Sequence, residues 1–480
     1  AIPPAWEAAS VPPRVALSRS TLETKVRQNV TRSAIIGLVL IGIGAGIFTL
    51  PTKSLTAGFG GTLAVTIGFA MLAALTMVVI VRSVLPVTSR LFGFLGRMAP
   101  RNLINALSRT SIAVAALMVA VSVTVAVSLM IDSFRHTVSI WLDQTLQGDV
   151  YISAPGFTET TARTILDPRI YSAVKNVSGV QRVDQIRVTT IDSPQGPIQV
   201  FATTNPNTGR ERYYQWLAYS PAETWQALQG EAVIVSEPLA NRLGLPRQGG
   251  QVSLMTPAGL KTFSVIGVFY DYSTSQGELV MSRKVYTSLW HDDEVTALDV
   301  FLNQGMDVDE ATRHTQAAIN QLGIDQQLLV RSNRALRENV MAVFDRTFAI
   351  TGALNVLSTV VAFMGVLSSL LLLQLEKQRE VGILRAIGMT VRQLWGLVSL
   401  ESGLMGLVAG LLAMPTGYVL SLILIYIINK RSFGWTLQMA LQSGPFTHGI
   451  AISLLAALLA GIYPAYKLGK MAAAEAIRYE

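Results

Sequence analysis

Residues 375–397, LEKQREVGILRAIGMTVRQLWGL, combine acidic, basic, apolar and glycine residues at helical spacing. Apolar residues recur at steps of three and four, which predicts a helix with one apolar face: Val381, Leu384, Ile387, Val391 and Leu394. Gly388 suits the left-handed residue that ends a helix. Thr390 and Gln393 form a capping-box pattern that begins another. The segment therefore predicts a helix, a turn and a second helix, with exposed charges of both signs.

Two uses of this segment remain open. An amphipathic helix can lie in the membrane interface and anchor a loop, but such helices are mainly basic. It can also bind a cytoplasmic protein through complementary charges. The mixed charge favours binding to a protein.

The rest of the chain offers little for catalytic or metal chemistry. It has no cysteine, and its four histidines (His136, His291, His314 and His448) lack metal-ligand spacing. The sequences G-x-S-x-G, H-E-x-x-H and the phosphate-binding G-x-x-x-x-G-K-[ST] are absent. The glycines of GIGAG (42–46) lie inside an apolar run with no strand before it, which favours helix packing over dinucleotide binding. We expect no catalytic residue, metal site or cofactor in this chain.

The composition is that of a membrane protein, with 50% hydrophobic residues, 14% charged residues and a mean hydropathy of +0.43. Six apolar segments are candidate spans: 34–50, 62–85, 110–131, 347–373, 394–428 and 447–466. The segment 394–428 exceeds one crossing, so either Pro415 kinks it or its first turns lie at the surface. We predict an α-helical membrane protein with six transmembrane helices and a large extracytoplasmic α+β domain.

Charge gives the orientation. Residues 132–346 carry 18 Lys+Arg and 23 Asp+Glu, whereas the remainder carries 20 and 7. Positive charge beside spans marks the cytoplasmic side, so segments 1–33, 86–109, 374–393 and 467–480 are predicted to be cytoplasmic. The domain at 132–346 is then outside, and this distribution argues against nucleic-acid binding. Lys430 and Arg431, in the outer loop 429–446, contradict the rule.

The outer domain shows short β-type runs separated by Gly, Pro and Asn turns, which predicts an α+β fold in two subdomains. Two helical patterns intervene, one after Ser236 as N-cap and one at 308–322.

A stripe of small residues marks the fifth span. Its members recur at steps of 3, 4, 3 and 4 and so share one helix face: Gly403, Gly406, Gly410, Ala413 and Gly417. Such a face lets two helices approach closely, either within this chain or against another half of a transporter. Glu401 lies two turns into the same helix, where a position near the cytoplasmic headgroups is favoured over a proton relay.

The segment EKQREVGILRAIGMT (376–390) resembles the signature of the FtsX-like permeases, the membrane subunits of MacB-type ABC transporters. The order of span, outer domain, span, this loop and two more spans is similar. So is the tail with Pro464, Ala465, Ala476, Ile477 and Arg478. APRNLINALSRT (99–110) resembles the amphipathic helix before the first span of such modules. SEPLANRLGL, VIGVFYDYSTSQG and FGW (433–435) resemble the ten-span subgroup with two tandem modules, of which this chain looks like the C-terminal half.

The resemblance implies a non-catalytic membrane subunit in the bacterial inner membrane, in contact with lipid. A separate ABC ATPase, as a dimer, would bind ATP and Mg, and its closure would be transmitted to the outer domain. The coupling positions carried over from the signature are Glu376, Arg379, Glu380, Arg385, Ala386, Gly388 and Thr390.

Three functions follow as hypotheses. The leading one is export or extraction of a lipid-like, lipoprotein or peptide cargo. The second is a complex of the same fold that regulates or receives an extracytoplasmic protein such as a hydrolase. The third is a membrane-anchored sensor or scaffold without an ATPase. Co-purification of an ATPase would exclude the third, and a protein bound to residues 132–346 would favour the second.

The first twenty residues, AIPPAWEAASVPPRVALSRS, are similar to the chain's own tail, since Pro4 aligned on Pro464 also aligns Ala5 with Ala465 and Ala16 with Ala476. We therefore interpret 1–33 as the end of a preceding module and 34–85 as two linking spans. A homologous first permease half is expected, packed against the four later spans by pseudo-two-fold symmetry.

Overall fold

The apolar part of the chain forms long helices. The computed structural model describes residues 20–52, 54–155, 164–209, 212–246, 248–376 and 383–470. The long helices are α1 (Ser20–Thr49), α2 (Leu55–Asn105), α3 (Leu107–Thr145), α9 (Asn333–Glu376), α10 (Val391–Ile423) and α12 (Gly444–Lys470). The chain divides into two compact units, the second of which comprises Ser133–Thr347 and Asn429–Gln438.

Five helical segments within the described residues are long and apolar enough to cross a membrane: Asn29–Thr49, Leu55–Asn105, Leu107–Thr145, Val391–Phe433 and Gly444–Lys467. They contain five of the six predicted spans. The remaining one, 347–373, lies inside α9, where Val356, Leu357 and Val361 each expose more than half of their surface. The count of six stays a prediction.

Helix α2 contains a chain reversal within the segment predicted as a cytoplasmic linker. Gly93 has φ +55° and ψ −125°, which is not helical backbone. Residues on either side of it meet, and the Thr88 hydroxyl donates a hydrogen bond of 2.8 Å to the Gly96 carbonyl. Only glycine tolerates such angles readily. A short helix, residues 94–105, therefore runs back from Gly93 and ends before α3; we call it the lead-in helix.

The core of the first unit lies between α2, α3, α10 and α12. Fully buried side chains from all four helices meet there, among them Met77, Leu103, Leu117, Val408 and Ala457. The lead-in helix supplies Leu103 and so belongs to this core.

The second unit is built on one mixed sheet of ten strands: β1 (Val150–Ser153), β2 (Val180–Ile191), β3 (Ile198–Thr203), β4 (Tyr214–Leu217), β5 (Ala232–Ser236), β6 (Gln251–Thr256), β7 (Gly259–Phe269), β8 (Glu278–Ser282), β9 (Ala297–Leu302) and β10 (Leu329–Ser332). The strand order is β10-β1-β9-β2-β3-β8-β5-β7-β4, with β6 paired to β7. Two neighbouring pairs, β3–β8 and β5–β7, are parallel, and the others are antiparallel.

Helices cover this sheet around several hydrophobic cores, of which two are the largest. The shorter helices are α4 (Pro168–Lys175), α5 (Pro221–Leu228), α6 (Glu237–Leu243), α7 (Arg283–Trp290), α8 (Val308–Asn320) and α11 (Lys430–Phe433). One core joins β1, β2 and β9 to α4 and α8. The other joins β3 and β5–β8 to α6 and α7. The division into two subdomains stays a prediction, since these cores lie on one continuous sheet within one compact unit.

Several sequence expectations need correction. Helix α10 continues through Pro415 and is followed by a π-helical segment at Leu424–Asn429 that was not predicted, while a kink at Pro415 stays a prediction. Ser236 does cap α6 by position, but its hydroxyl accepts a hydrogen bond from the Glu278 backbone rather than from the helix. Of the outer loop predicted at 429–446, residues 429–438 group with the second unit and the rest with the first.

Two carboxyl groups face each other inside the sheet. Asp184 on β2 is directly opposite Asp299 on β9, and Tyr151 on β1 is opposite Asp299 on its other side. Burial, and then the neighbouring Asp184 carboxylate, raise the pKa of Asp299 to about 8. Arg182 lies 3.0 Å from Asp184 and opposes the rise in the pKa of that carboxyl. The pair therefore keeps a proton at neutral pH.

Because the folded state holds this proton and the unfolded state releases it, we expect the outer domain to become less stable as the pH rises. The folded state retains the proton of Asp299 up to about pH 8, whereas an unfolded aspartate loses it near about pH 4. The folded state binds more protons in this window, so the free energy of unfolding falls by about 1.4 kcal/mol for each pH unit. Asp299→Asn should flatten this dependence, measured by hydrogen exchange of β2 and β9 corrected for intrinsic rates. Asp192→Asn, at an exposed site, is the control. An unchanged slope in Asp299→Asn would contradict the assignment.

Candidate coupling site and the helices that position it

The predicted turn at Gly388 is a complete helix-ending motif. Residues 383–386 are helical. Gly388 has φ +110°, its N–H bonds the Arg385 carbonyl at 3.1 Å, and the Met389 N–H bonds the Leu384 carbonyl at 3.0 Å. These two bonds define a Schellman motif, which needs a residue with positive φ. Among the described residues, no neighbouring atom lies within 4 Å of where a Cβ would stand on Gly388, so the positive φ is what favours glycine there.

Helix α10 begins at once after this turn. The Thr390 hydroxyl accepts a hydrogen bond from the Gln393 N–H, and the Gln393 side chain accepts one from the Thr390 N–H at 2.9 Å. This reciprocal pair is the capping box that the sequence predicted. The direction of the turn is therefore fixed at both ends by local hydrogen bonds.

The predicted coupling residues fall into two groups. Arg385 is half-buried, while Ala386, Gly388 and Thr390 are exposed on the turn. Glu376 is the last residue of α9, and Arg379 and Glu380 lie outside the described residues.

The apolar stripe divides around the turn. Leu394 is fully buried, Leu384 is half-buried and Ile387 is 79% exposed. Ile383 and Val391 are also exposed, and Val381 lies outside the described residues. An apolar side chain as exposed as Ile387, flanked by charge, suits a surface that another molecule covers.

The small-residue stripe is in contact with helices of the same chain. A Cβ on Gly406 would stand 2.8 Å from both the Ala457 Cβ and the Ser453 carbonyl oxygen of α12. Gly410 approaches Ser453 even more closely, and a Cβ on Gly417 would lie 2.8 Å from Val125 of α3. Gly403 has room, with its nearest neighbour at 3.6 Å, and Ala413 is fully buried. The stripe thus holds α10 against α12 and α3.

The sequence reading missed the other half of this contact. Helix α12 presents its own small residues: Gly461 faces Ser402, and a Cβ on Gly449 would lie 2.7 Å from Val125 of α3. Ala456, Ala457 and Ala460 are buried in the same core. Their spacing in the sixth span was a signal of the same kind as the stripe in the fifth.

Glu401 is bound within the helix core. Its side chain is 1% exposed, and the Asn102 amide of the lead-in helix donates a hydrogen bond of 2.7 Å to it. Beside them, a Cβ on Gly396 would lie 3.4 Å from Leu95. The lead-in helix is therefore attached to the first turns of α10, which follow directly after the turn at Gly388.

A second polar site lies on the outer domain, where residues 429–438 meet α6 and the end of β7. We call these residues the return loop. Glu237, the first residue of α6, accepts hydrogen bonds from the Thr436 N–H at 2.8 Å and the Thr436 hydroxyl at 2.7 Å. The Lys430 ammonium lies 3.8 Å from the same carboxylate. Lys430, one of the two cations that contradict the positive-inside rule, is therefore a counter-charge of a buried acid.

The return loop joins three motifs that are far apart in the sequence. Asn241 of SEPLANRLGL donates to the Gly434 carbonyl at 2.7 Å, and Tyr272 of VIGVFYDYSTSQG donates to the Thr436 carbonyl at 2.9 Å. Trp435 of FGW packs edge-on against Tyr272, with ring centres 5.7 Å apart. These are the motifs that carried the resemblance to the tandem-module subgroup.

Two family models match the chain. The MacB-like periplasmic core domain matches residues 110–318, and the FtsX-like permease C-terminal domain matches residues 352–473. Together they cover well over half of the sequence; the first match ends inside α8 and the second begins inside α9.

The chain is also similar to named proteins of other organisms. Over 486 residues the chain is 41% identical to the uncharacterized ABC transporter permease protein Rv0987 of Mycobacterium tuberculosis, covering 100% of this chain and 56% of that protein. It is 27% identical over 267 residues to the lipoprotein-releasing system transmembrane protein LolC of Haemophilus influenzae, covering 52% and 64%. The chain thus spans about half the length of the curated relatives it matches. The periplasmic region of MacB from Actinobacillus actinomycetemcomitans aligns at 12% identity over 42% of this chain and 95% of that one, with a TM-score of 0.30, too low to carry weight.

Apolar helices with an extracytoplasmic α+β domain define a multi-span membrane protein. With an FtsX-like permease domain and a MacB-like periplasmic core domain, the chain fits the MacB/FtsX-type family of ABC transporter permeases.

Proposed function

We propose that this chain is the non-catalytic membrane subunit of a transporter powered by a separate ATPase, and that residues 376–390 are its contact with that ATPase. The observation that carries the proposal is the turn at Gly388. It presents exposed Ile383 and Ile387 beside charged residues, and its shape is held by a Schellman motif and a capping box. A pre-formed surface of this kind loses little conformational entropy on binding.

The partners follow from the same proposal. A dimer of ABC ATPase subunits would bind ATP and Mg, and a homologous first half would complete the permease in the bacterial inner membrane. Two relatives are named for a lipoprotein-releasing system and for macrolide export. For this chain we propose a lipid-like, lipoprotein or peptide cargo, handled by movement of the outer domain.

The test removes the charges of the coupling segment. In Glu380→Ala/Arg385→Ala we expect the co-purified ATPase to fall about tenfold, since a loss of about 1.4 kcal/mol of interface energy weakens binding by that factor. The control, Glu231→Ala/Lys261→Ala, removes an ion pair of the outer domain that is far from this segment in the sequence. Undiminished ATPase binding and unchanged ATP hydrolysis in the double variant would reject the contact. A wild-type chain that never co-purifies with an ATPase would instead favour the sensor or scaffold.

A further inference from the structure

The return loop is held more firmly than a connection between two helices requires. Three successive carbonyl groups each accept a side-chain hydrogen bond: Gly434 from Asn241, Trp435 from Asn429 at 3.0 Å, and Thr436 from Tyr272. Connecting loops usually leave such carbonyls to water. Here the backbone path of the loop is set by the protein itself.

The charge of Glu237 explains the strength of this attachment. The carboxylate is 1% exposed, so it has lost nearly all contact with water. A buried charge is tolerated when it is paired and hydrogen-bonded. The return loop supplies the two hydrogen bonds from Thr436 and the ammonium of Lys430. Release of the loop would take these two hydrogen bonds and the ammonium group away from the Glu237 carboxylate.

The backbone changes its geometry just before the loop. Residues Leu424–Asn429 form a π-helical turn between α10 and α11. Such turns are rare and occur frequently at functional sites. This one lies where the chain passes from the first unit to the second.

One helical path therefore connects two sites. Helix α10 begins at the capping box of Thr390, next to the turn at Gly388. Helical structure continues from there to Phe433, inside the return loop. A hydrogen-bonded helix is a rigid element that carries displacement along its axis. A displacement at residue 390 therefore has a helical backbone path to Lys430, although Pro415 donates no backbone hydrogen bond and the last turn is π-helical.

We propose that the return loop is the attachment through which α10 and α12 move the outer domain, and that Glu237 is the positioning residue that holds it. This inference rests on the proposed function, because it assigns a point of force transfer within an ATP-driven cycle. Glu237 contacts no cargo in this scheme; it acts through Thr436 and Lys430.

The experiment measures outer-domain movement in the assembled complex. Since the chain lacks cysteine, two introduced cysteines, at exposed Gln195 and Leu455, can carry spin labels without background from this chain. We expect the distance between labels to change when a non-hydrolysable ATP analogue binds the wild-type complex. Glu237→Ala should reduce that change at least twofold while the ATPase stays bound. Glu237→Gln, which can still accept from the Thr436 N–H, should lie between the two.

Two further variants keep the test decisive. Glu231→Ala removes an exposed carboxylate of the same domain and should leave the change intact. Tyr272→Phe removes only the hydroxyl that donates to Thr436, and should reduce the change even if Glu237→Ala fails to fold. A wild-type change in both Glu237→Ala and Tyr272→Phe would overturn the inference. No nucleotide-dependent change in the wild type would contradict the proposed function instead.

Discussion

Replacing Gly406 and Gly410 together by leucine is expected to prevent α10 and α12 from packing. At Gly406 even a Cβ would stand 2.8 Å from the Ser453 carbonyl oxygen and 3.1 Å from the Leu454 Cα. These are backbone atoms, so the helices must separate to admit a side chain. Each overpacked position costs about 1–3 kcal/mol. Together they are comparable to much of the stability of an ordinary domain, about 5–15 kcal/mol.

The measurement is the yield of monodisperse protein in detergent and its unfolding temperature. Gly42→Leu/Gly46→Leu is a matched control, because it makes the same change at the same spacing in α1. In the part of the chain that the structure describes, no atom of another element lies within 4 Å of a Cβ at either position. Normal yield and unfolding temperature in Gly406→Leu/Gly410→Leu would show that close approach of these helices is dispensable.

Asn102→Leu is expected to be the second most damaging change in the membrane helices. It removes the amide that donates to Glu401, whose side chain is 1% exposed. Taking one partner from a buried charged group costs about 3–5 kcal/mol, whereas replacing both partners by apolar groups can be nearly neutral. The double variant Asn102→Leu/Glu401→Leu should therefore regain much of the stability lost by Asn102→Leu.

A double-mutant cycle tests this coupling. Unfolding of wild type, both single variants and the double variant in detergent gives the interaction energy directly. We expect a coupling of about 1–3 kcal/mol, as found for residues in contact. If the effects of the two single changes simply add, the hydrogen bond is not what attaches the lead-in helix to α10.

Local signals predicted local structure well. The left-handed residue at Gly388 and the capping box at Thr390 depend on residues within a few positions, and both are present. The hydrophobic runs in the outer domain likewise marked β2 over its full length, Val180–Ile191. The small-residue stripe predicted a close helix contact, although its spacing could not name the partner helix.

Long-range contacts were beyond the sequence pattern. Strand β9, ALDVFL, was missed because Asp299 interrupts an otherwise apolar run, and only the cross-strand pairing with β2 shows that the acid is buried. The contact of Glu237 with Thr436 joins residues 199 positions apart. The sole hint in the sequence was Lys430, a cation in a loop that is otherwise predicted to lie outside the cytoplasm. The sequence pattern also could not predict the contact of Asn102 with Glu401, 299 positions apart. It forms because the chain reversal at Gly93 returns the lead-in helix to the core.

The pairing of Lys430 with Glu237 also bears on how the protein is made. Synthesis runs from the N-terminus, so residues 133–347 are complete before the return loop leaves the ribosome. We expect the outer domain to fold first and to present the Glu237 carboxylate without its partners from the return loop. Once the return loop has crossed the membrane, Thr436 and Lys430 can bind this carboxylate, which favours the inserted state of the last helical hairpin. The order of biosynthesis would thus contribute to the final topology.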